Sequence, residues 1–264
     1  IPVAGVVPYA HIDIDDEDSL SERLDAGGQK KPIDIAVIRL PRLSNFTDFD
    51  VFGRFGAVSL RYAAKPAELG EPDLIILPGT KSTIADLLWM RQNGLEAAVL
   101  KESAKGTPVF GVCGGLQMLG RTVDDPEGAE GGGKILGMGL LDVETCFSKE
   151  KIIRQASGKI NRVGGIFSAL SGLEYSGYEI HMGRSGFEGA VIQSGAVYGS
   201  YVHGLFDGGG IAQAVVTALA QKKGVELSDP EFADPKRYKE KQYDTLADLV
   251  RKSLDIKLVY GLIK

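Results

Sequence analysis

The sequence predicts an α/β fold: a mostly parallel central sheet with flanking helices, followed by a β-rich second half. Three observations carry this. Apolar runs at Ile33–Ile38, Ala57–Tyr62, Leu74–Leu77 and Val109–Val112 are interleaved with helical patterns, the rhythm of strands joined by crossover helices. From Lys134 to His203 short apolar runs are instead separated by glycine-rich turns, which reads as strands and hairpins. Between these halves, Pro108 to Gly120 reads as a strand, a tight Cys-Gly-Gly turn and the start of a helix.

The elements follow in order. Residues 1–31 are polar, with Asp13, Asp15, Asp16, Glu17 and Asp18 close together, and read as an N-terminal linker or surface arm; residues 32–264 read as the domain proper. Pro41 follows the first strand and Pro78-Gly79 closes the third. One long helix is expected from Ser82 to about Ser103. Ile84, Leu87, Leu88, Met90 and Leu95 give it an apolar face, and Ser82 or Thr83 would cap it. Two terminal helices are expected near Gly210–Lys223 and Pro235–Leu254.

Composition narrows the class. With 264 residues, 44% hydrophobic and 25% charged, the chain reads as an ordinary globular protein of one large or two small domains. A net charge of -5 speaks against a nucleic-acid surface. No apolar run reaches the length of a membrane span. The start, Ile1-Pro2-Val3-Ala4-Gly5, has no basic segment of a signal peptide, and its lack of an initiator Met reads as a fragment or a processed product. Cys113 and Cys146 form no metal-ligand pattern and suit a reducing cytoplasm.

Cys113 is the first candidate for chemistry. At a strand tip with a helix beginning beneath it, its sulfur would meet backbone N–H groups that favour negative charge. Gly114 and Gly115 give the room and backbone freedom that a nucleophile elbow needs. In open parallel sheets, sites lie at the carboxyl ends of strands, so Pro78-Gly79-Thr80 should neighbour Cys113. A cysteine nucleophile also needs a base. The chain offers His11, His181 and His203. His11 lies in the acidic arm. His203 ends the strand-like run Ala196–Val202, and His181 lies within Tyr178–Gly183; each of these two also reads as a histidine satisfied by backbone hydrogen bonds.

Six segments carry a family resemblance. Val109–Gly120 resembles the nucleophile segment of class I-type glutamine amidotransferases, and Gly199–Asp207 their later histidine segment. With Leu40–Asp50, Leu77–Leu87, Gly137–Asp142 and Tyr178–Gly183, they are together similar to the C-terminal amidotransferase domain of the cobyric acid synthase family of cobalamin biosynthesis. The resemblance covers nearly the whole chain.

It implies a class I glutamine amidotransferase-like fold and ATP-dependent, glutamine-driven amidation of the b, d, e and g carboxylates of adenosylcobyrinic acid a,c-diamide. This chain would be the ammonia-producing part. An ATP-binding synthetase domain would precede it, taking the ATP and Mg²⁺ and most contacts with the corrinoid, and no cofactor or metal would belong to this domain. The resemblance assigns Cys113 as nucleophile and His203 as acid and base. Gly114 and the Gly79–Thr80 turn would serve the oxyanion, and Gln117 and His181 the bound glutamine. One departure stands out: many class I relatives place a Glu two residues after the histidine, where this chain has Leu205. Glu179 and Asp207 are acidic candidates to orient His203, and a Cys–His dyad is the alternative.

Three further signals read as structural. Gly128–Lys134 fits G-x-x-x-x-G-K, but Ile135 stands where a P-loop has Ser or Thr, and Asp124–Glu127 does not read as a strand, so the segment is expected to be a flexible surface loop. Cys146 is expected to be a small core residue, and Lys236–Lys241 a solvated helix face. Two other functional classes remain open: a glutaminase subunit that amidates peptidoglycan precursors, and a non-catalytic binding domain of the same fold.

Overall fold

The structure is a computed structural model that describes residues 3–10, 12, 31–208, 210–227 and 235–261. His11 and the run from Asp13 to Asp18 lie outside the described residues. The larger of two compact units spans residues 18–233. It begins with β1 (Ile33–Ile38), a short β2 (Leu43–Ser44), a 3₁₀ turn at Phe46–Phe49 and α1 (Asp50–Gly53). Then come β3 (Val58–Ala63), α2 (Pro66–Leu69), β4 (Leu74–Leu77) and β5 (Gly79–Thr80). Two helices, α3 (Thr83–Gln92) and α4 (Leu95–Ala104), lead into β6 (Val109–Val112) and α5 (Gly114–Leu119). The remaining elements are β7 (Thr122–Asp125), β8 (Gly133–Leu136), β9 (Glu144–Lys159), β10 (Glu174–Arg184), β11 (Ile192–Ser194), β12 (Val197–Ser200) and α6 (Ile211–Lys223).

The main sheet has the order β11-β12-β6-β4-β1-β3. Its pairs are parallel except β11 with β12. Every residue of β4, β6 and β12 is buried, as continuous apolar runs in a parallel sheet require. A second sheet, β10-β9-β7-β8, is built around the long antiparallel ribbon of β9 and β10. The expected fold class is therefore the observed one. β12 supplies what hydrophobic patterning alone could not: the β-rich second half returns one strand to the central sheet, parallel to β6.

Local expectations changed at several points. The single long helix is two, because Asn93 and Gly94 break it and Gly94 adopts a φ of 81°. Ser82 stands at the N-cap of α3 but makes no side-chain cap bond; Glu130 Oε2 accepts the Thr83 N–H instead, at 2.6 Å. Asp124 and Asp125 belong to strand β7, and another strand rather than a helix follows the glycines, so no phosphate cradle forms. That loop is organised by the Asp125 carboxylate, which accepts the N–H groups of Ala129, Glu130 and Gly132 at 2.8 Å each. Cys146 is exposed, because strand alternation on β9 turns Thr145 and Phe147 inward and Cys146 outward.

Residues 234–264 group with residues 1–17 rather than with the larger unit. This second unit contains α7 (Pro235–Ser253) and α8 (Ile256–Gly261). A backbone bridge joins Gly5 to Leu254, and Asp255 donates its N–H to the Ala4 carbonyl at 2.7 Å. The sequence of α7 is rich in Lys, Arg, Asp and Glu and offers little apolar surface for a large core. No helix among the described residues is long and apolar enough to cross a membrane.

Candidate active site

The carboxyl ends of β1, β4, β6 and β12 lie along one edge of the parallel sheet, and each feeds a candidate residue into the same place. Cys113 follows β6 with φ 50° and ψ -108°, at the N-cap of α5. Asn45 and Cys113 are the two non-glycine residues at positive φ among those described, and both belong to this edge. The elbow is held down by its neighbours. The Cys113 N–H donates to the Ser200 carbonyl at 2.8 Å, and its thiol faces the Ile180 carbonyl at 3.8 Å. A side chain on Gly115 would place its Cβ 2.0 Å from the Leu77 carbonyl oxygen, and one on Gly111 would lie 2.6 Å from the Leu116 nitrogen. Glycine at these two positions lets α5 sit directly on the strands.

His203 follows β12 and is 1% exposed. Its Nδ1 lies 2.7 Å from Asp48 Oδ2, and Asp48 Oδ1 accepts the Gly204 N–H at 3.0 Å. Asp48, itself 5% exposed, sits in the 3₁₀ turn that follows β2. Packing fixes both sides of this pair. Phe49 and Phe206, each next to or near the paired residues, bring their ring centroids within 6.3 Å, and Phe206 also packs edge-on against Phe110 of β6 at 5.1 Å. Burial works against a charge on His203, but its hydrogen bonds to Asp48 and Cys113 and their negative charges prevail, and its pKa is pushed up to about 10. His203 is therefore an imidazolium at neutral pH.

The expected oxyanion groups also converge. A Cβ on Gly114 would lie 3.1 Å from the Thr80 nitrogen, so these two stretches of backbone are in contact. A Cβ on Gly79 would lie 3.1 Å from His203 Cε1, so Gly79 leaves room for the ring. Thr80 is locked from behind: its Oγ1 donates to Asp86 Oδ2 at 2.5 Å, and Asp86 pairs with Arg42 at 2.8 Å.

Other predicted residues are placed differently from expectation. Gln117 is buried, its Oε1 accepting from Thr83 Oγ1 at 2.9 Å and its Nε2 donating to the Tyr201 hydroxyl at 3.3 Å. From Tyr201 the chain of hydroxyls continues to Ser185 at 2.6 Å and Thr145 at 2.7 Å. Gln117 thus ties α5 to Thr83 of α3 and, through Tyr201 and Ser185, to Thr145 of β9. His181 stacks on Tyr201 with centroids 3.9 Å apart, and its Nδ1 donates to the Gly183 carbonyl at 2.7 Å. Its other nitrogen faces Glu179 at 3.4 Å, so both nitrogens have partners on its own strand, and burial lowers its pKa. Glu179 is bound by Arg154 through two contacts of 3.0 Å. Neither Glu179 nor Asp207 takes His203 Nδ1, because Asp48 already does. Asp48 was the residue missed. Its signal was available: Leu40–Asp50 lies just beyond β1, at the sheet edge where sites form.

A thiolate on a strained elbow, paired with an imidazolium that a buried carboxylate holds by its far nitrogen, can attack a carbonyl carbon, and the imidazolium can protonate its leaving group. Among the described residues, no group of three or more His, Cys, Asp or Glu is placed to hold a metal ion.

Fold and site together define the class. The chain belongs to the CobB/CobQ-like glutamine amidotransferase domain family, whose model matches residues 34–210. Two of its curated relatives are cobyric acid synthases. Over 100% of its length the chain is 50% identical to the cobyric acid synthase of Lachnoclostridium phytofermentans and covers 56% of that protein. It is 49% identical to the cobyric acid synthase of Ruminiclostridium cellulolyticum, covering 55% of it. The chain thus spans about half the length of the curated relatives it matches. Among solved structures, PurLQS from Thermotoga maritima matches with a TM-score of 0.53 at 16% identity, over 72% of this chain and 99% of that one. That likeness is one of fold.

Proposed function

We propose that this chain is the glutamine-hydrolysing part of a cobyric acid synthase. It would release ammonia for ATP-dependent amidation of the b, d, e and g carboxylates of adenosylcobyrinic acid a,c-diamide. One observation carries the chemistry: Cys113, His203 and Asp48 meet at the carboxyl edge of the sheet, the last two at 2.7 Å. The corrinoid assignment draws on the relatives, whose shared name spans 39% to 50% identity over the whole chain.

In this reading the Cys113 thiolate adds to the side-chain amide carbon of glutamine, and the oxyanion faces the backbone of Gly114 and Thr80. His203 gives its Nε2 proton to the departing nitrogen, so ammonia leaves and a γ-glutamyl thioester remains on Cys113. Neutral His203 then takes a proton from water as the water adds to the thioester. Collapse releases glutamate and restores the thiolate and the imidazolium. Asp48 holds the ring through Nδ1 and balances its charge. Gln117 and His181 act through the network behind α5. ATP and Mg²⁺ belong to a synthetase domain outside this chain, which also receives the corrinoid. A reducing cytoplasm keeps Cys113 reduced.

The test is glutamate release from glutamine by the full-length protein, with ATP, Mg²⁺ and the corrinoid acceptor, in wild type and Cys113→Ser. Loss of glutamate release and of amidated corrinoid in the variant, with amidation restored by added ammonia, is the expected result. Equal rates of glutamate release would overturn the reading.

A further inference from the structure

Tyr178 takes part in none of the steps above, yet it lies against the face of His203. The two ring centroids are 5.3 Å apart with an interplanar angle of 26°. The contact is built in at the backbone. His203 donates its N–H to the Tyr178 carbonyl at 2.8 Å, and Tyr178 returns the bond to the His203 carbonyl at 3.1 Å. The approach depends on Gly177, where a Cβ would sit 2.1 Å from the His203 carbonyl oxygen. The far end of Tyr178 is held as well, because its hydroxyl accepts from Asn45 Nδ2 at 2.8 Å. Asn45, with its φ of 53°, opens the same 3₁₀ turn that carries Asp48. One short segment therefore fixes both the carboxylate at the edge of the imidazole and the aromatic ring over its face.

Asp48 takes Nδ1 of His203, Cys113 is the ring's other side-chain partner, and Gly79 approaches Cε1. Asp48 and Cys113 act electrostatically on both rings, and Asp207 acts on Tyr178. Burial and these same negative charges raise the Tyr178 pKa, so the phenol stays neutral. Tyr178 is 39% exposed, whereas the His203 on which it stacks is 1% exposed. A neutral aromatic face within about 6 Å of a buried cation attracts it through the ring quadrupole.

We propose that Tyr178 is a positioning residue that stabilises the His203 imidazolium by stacking on it and keeping water off that face of the ring. This rests on the reading of Cys113 and His203 as the reacting pair. Because the contact favours the protonated ring, removing it should let His203 lose its proton at lower pH, and the protonated acid would be available over a narrower range.

The experiment follows glutamate release against pH in the full-length protein for wild type, Tyr178→Phe, Tyr178→Leu and Cys113→Ser. Tyr178→Leu is expected to lower kcat about 3- to 30-fold, leave KM within about twofold, and move the alkaline limb down by about one pH unit. Tyr178→Phe keeps the ring and should stay within about twofold of wild type with an unmoved limb. An unmoved limb in Tyr178→Leu overturns the proposal, as does a Tyr178→Phe as impaired as the leucine variant. Should Tyr178→Leu fail to fold, Tyr178→Met fills similar space without a ring and carries the same test. Failure of the underlying reading would look different: Cys113→Ser would keep the wild-type rate.

Discussion

Asp48 and His203 are 155 residues apart in the chain and 2.7 Å apart in space, and the same carboxylate also fastens the Gly204 N–H. One buried acid thus orients the ring and anchors the turn behind it. Asp48→Asn keeps the shape but removes the charge, and can present an N–H where the ring needs an acceptor. The expected outcome is a fall in kcat on the order of 10²-fold with KM little changed. Steady-state glutamine hydrolysis measures it. Asp48→Ala should also lower stability by about 1–3 kcal/mol, because it leaves buried donors unpaired.

The raised pKa of His203 also predicts how stability depends on pH. A group that binds its proton more tightly when folded stabilises the fold fully below its unfolded pKa, about 6.5. That contribution is lost as pH rises through the folded value of about 10. Denaturant midpoints should therefore decline from neutral pH toward pH 10, and His203→Gln should flatten the decline. A decline of equal slope in the variant would assign it to other groups. His181 works in the opposite sense: burial lowers its pKa, so its contribution is intact above the unfolded value and is lost as pH falls through the lower folded value.

How much of this was legible beforehand depends on whether a feature is local. The Cys113 elbow was, because a strand, two glycines and a helix are written in consecutive residues. The convergence of Thr80 and Gly114 followed from the rule that sites gather at strand ends. The partner of His203 was not, because Asp48 reaches it only when β12 lies beside β6, with β4 and β1 beyond it, and no short-range pattern states that order. Gln117 and His181 were visible as polar residues near the nucleophile. Gln117 joins a buried hydroxyl network, and His181 stacks on Tyr201 of that network, only through long-range packing that sequence spacing does not encode. Cys146 differs for a simpler reason: the run Leu141–Phe147 looks apolar, but strand alternation turns Cys146 outward.

The two cysteines should be chemically distinguishable. Cys113 is 7% exposed, whereas Cys146 faces outward from β9. A small general thiol reagent should modify Cys146 first and regardless of glutamine. A glutamine-analogue electrophile should modify Cys113 alone, and glutamine should protect it. Peptide mass mapping after each treatment separates these patterns. Cys146→Ser should keep glutaminase activity within about twofold, as expected for a surface change within about 0.5 kcal/mol. Labelling of Cys146 by the analogue at the same rate would remove the case for a selective pocket at Cys113.

Gly115 offers a test of the elbow itself. A Cβ there would stand 2.0 Å from the Leu77 carbonyl oxygen and 2.5 Å from its carbon, and both are backbone atoms of a buried strand. A side-chain clash can be relieved by a change of rotamer, but here either α5 must rise from the sheet or β4 must yield. Gly115→Ala should therefore cost at least about 1–3 kcal/mol, the usual penalty for overpacking. Because α5 carries the Gly114 backbone, any lift that accommodates the methyl also pulls that group away from the oxyanion. Activity should fall further than the loss of folded protein explains. Gly208→Ala is the matched control, since nothing lies within 4 Å of its Cβ and its φ is -127°. Chemical denaturation and glutamine hydrolysis on both variants decide the matter. A Gly115→Ala protein as stable and as active as the Gly208→Ala control would mean that the close seat of α5 on the sheet is not what shapes the site.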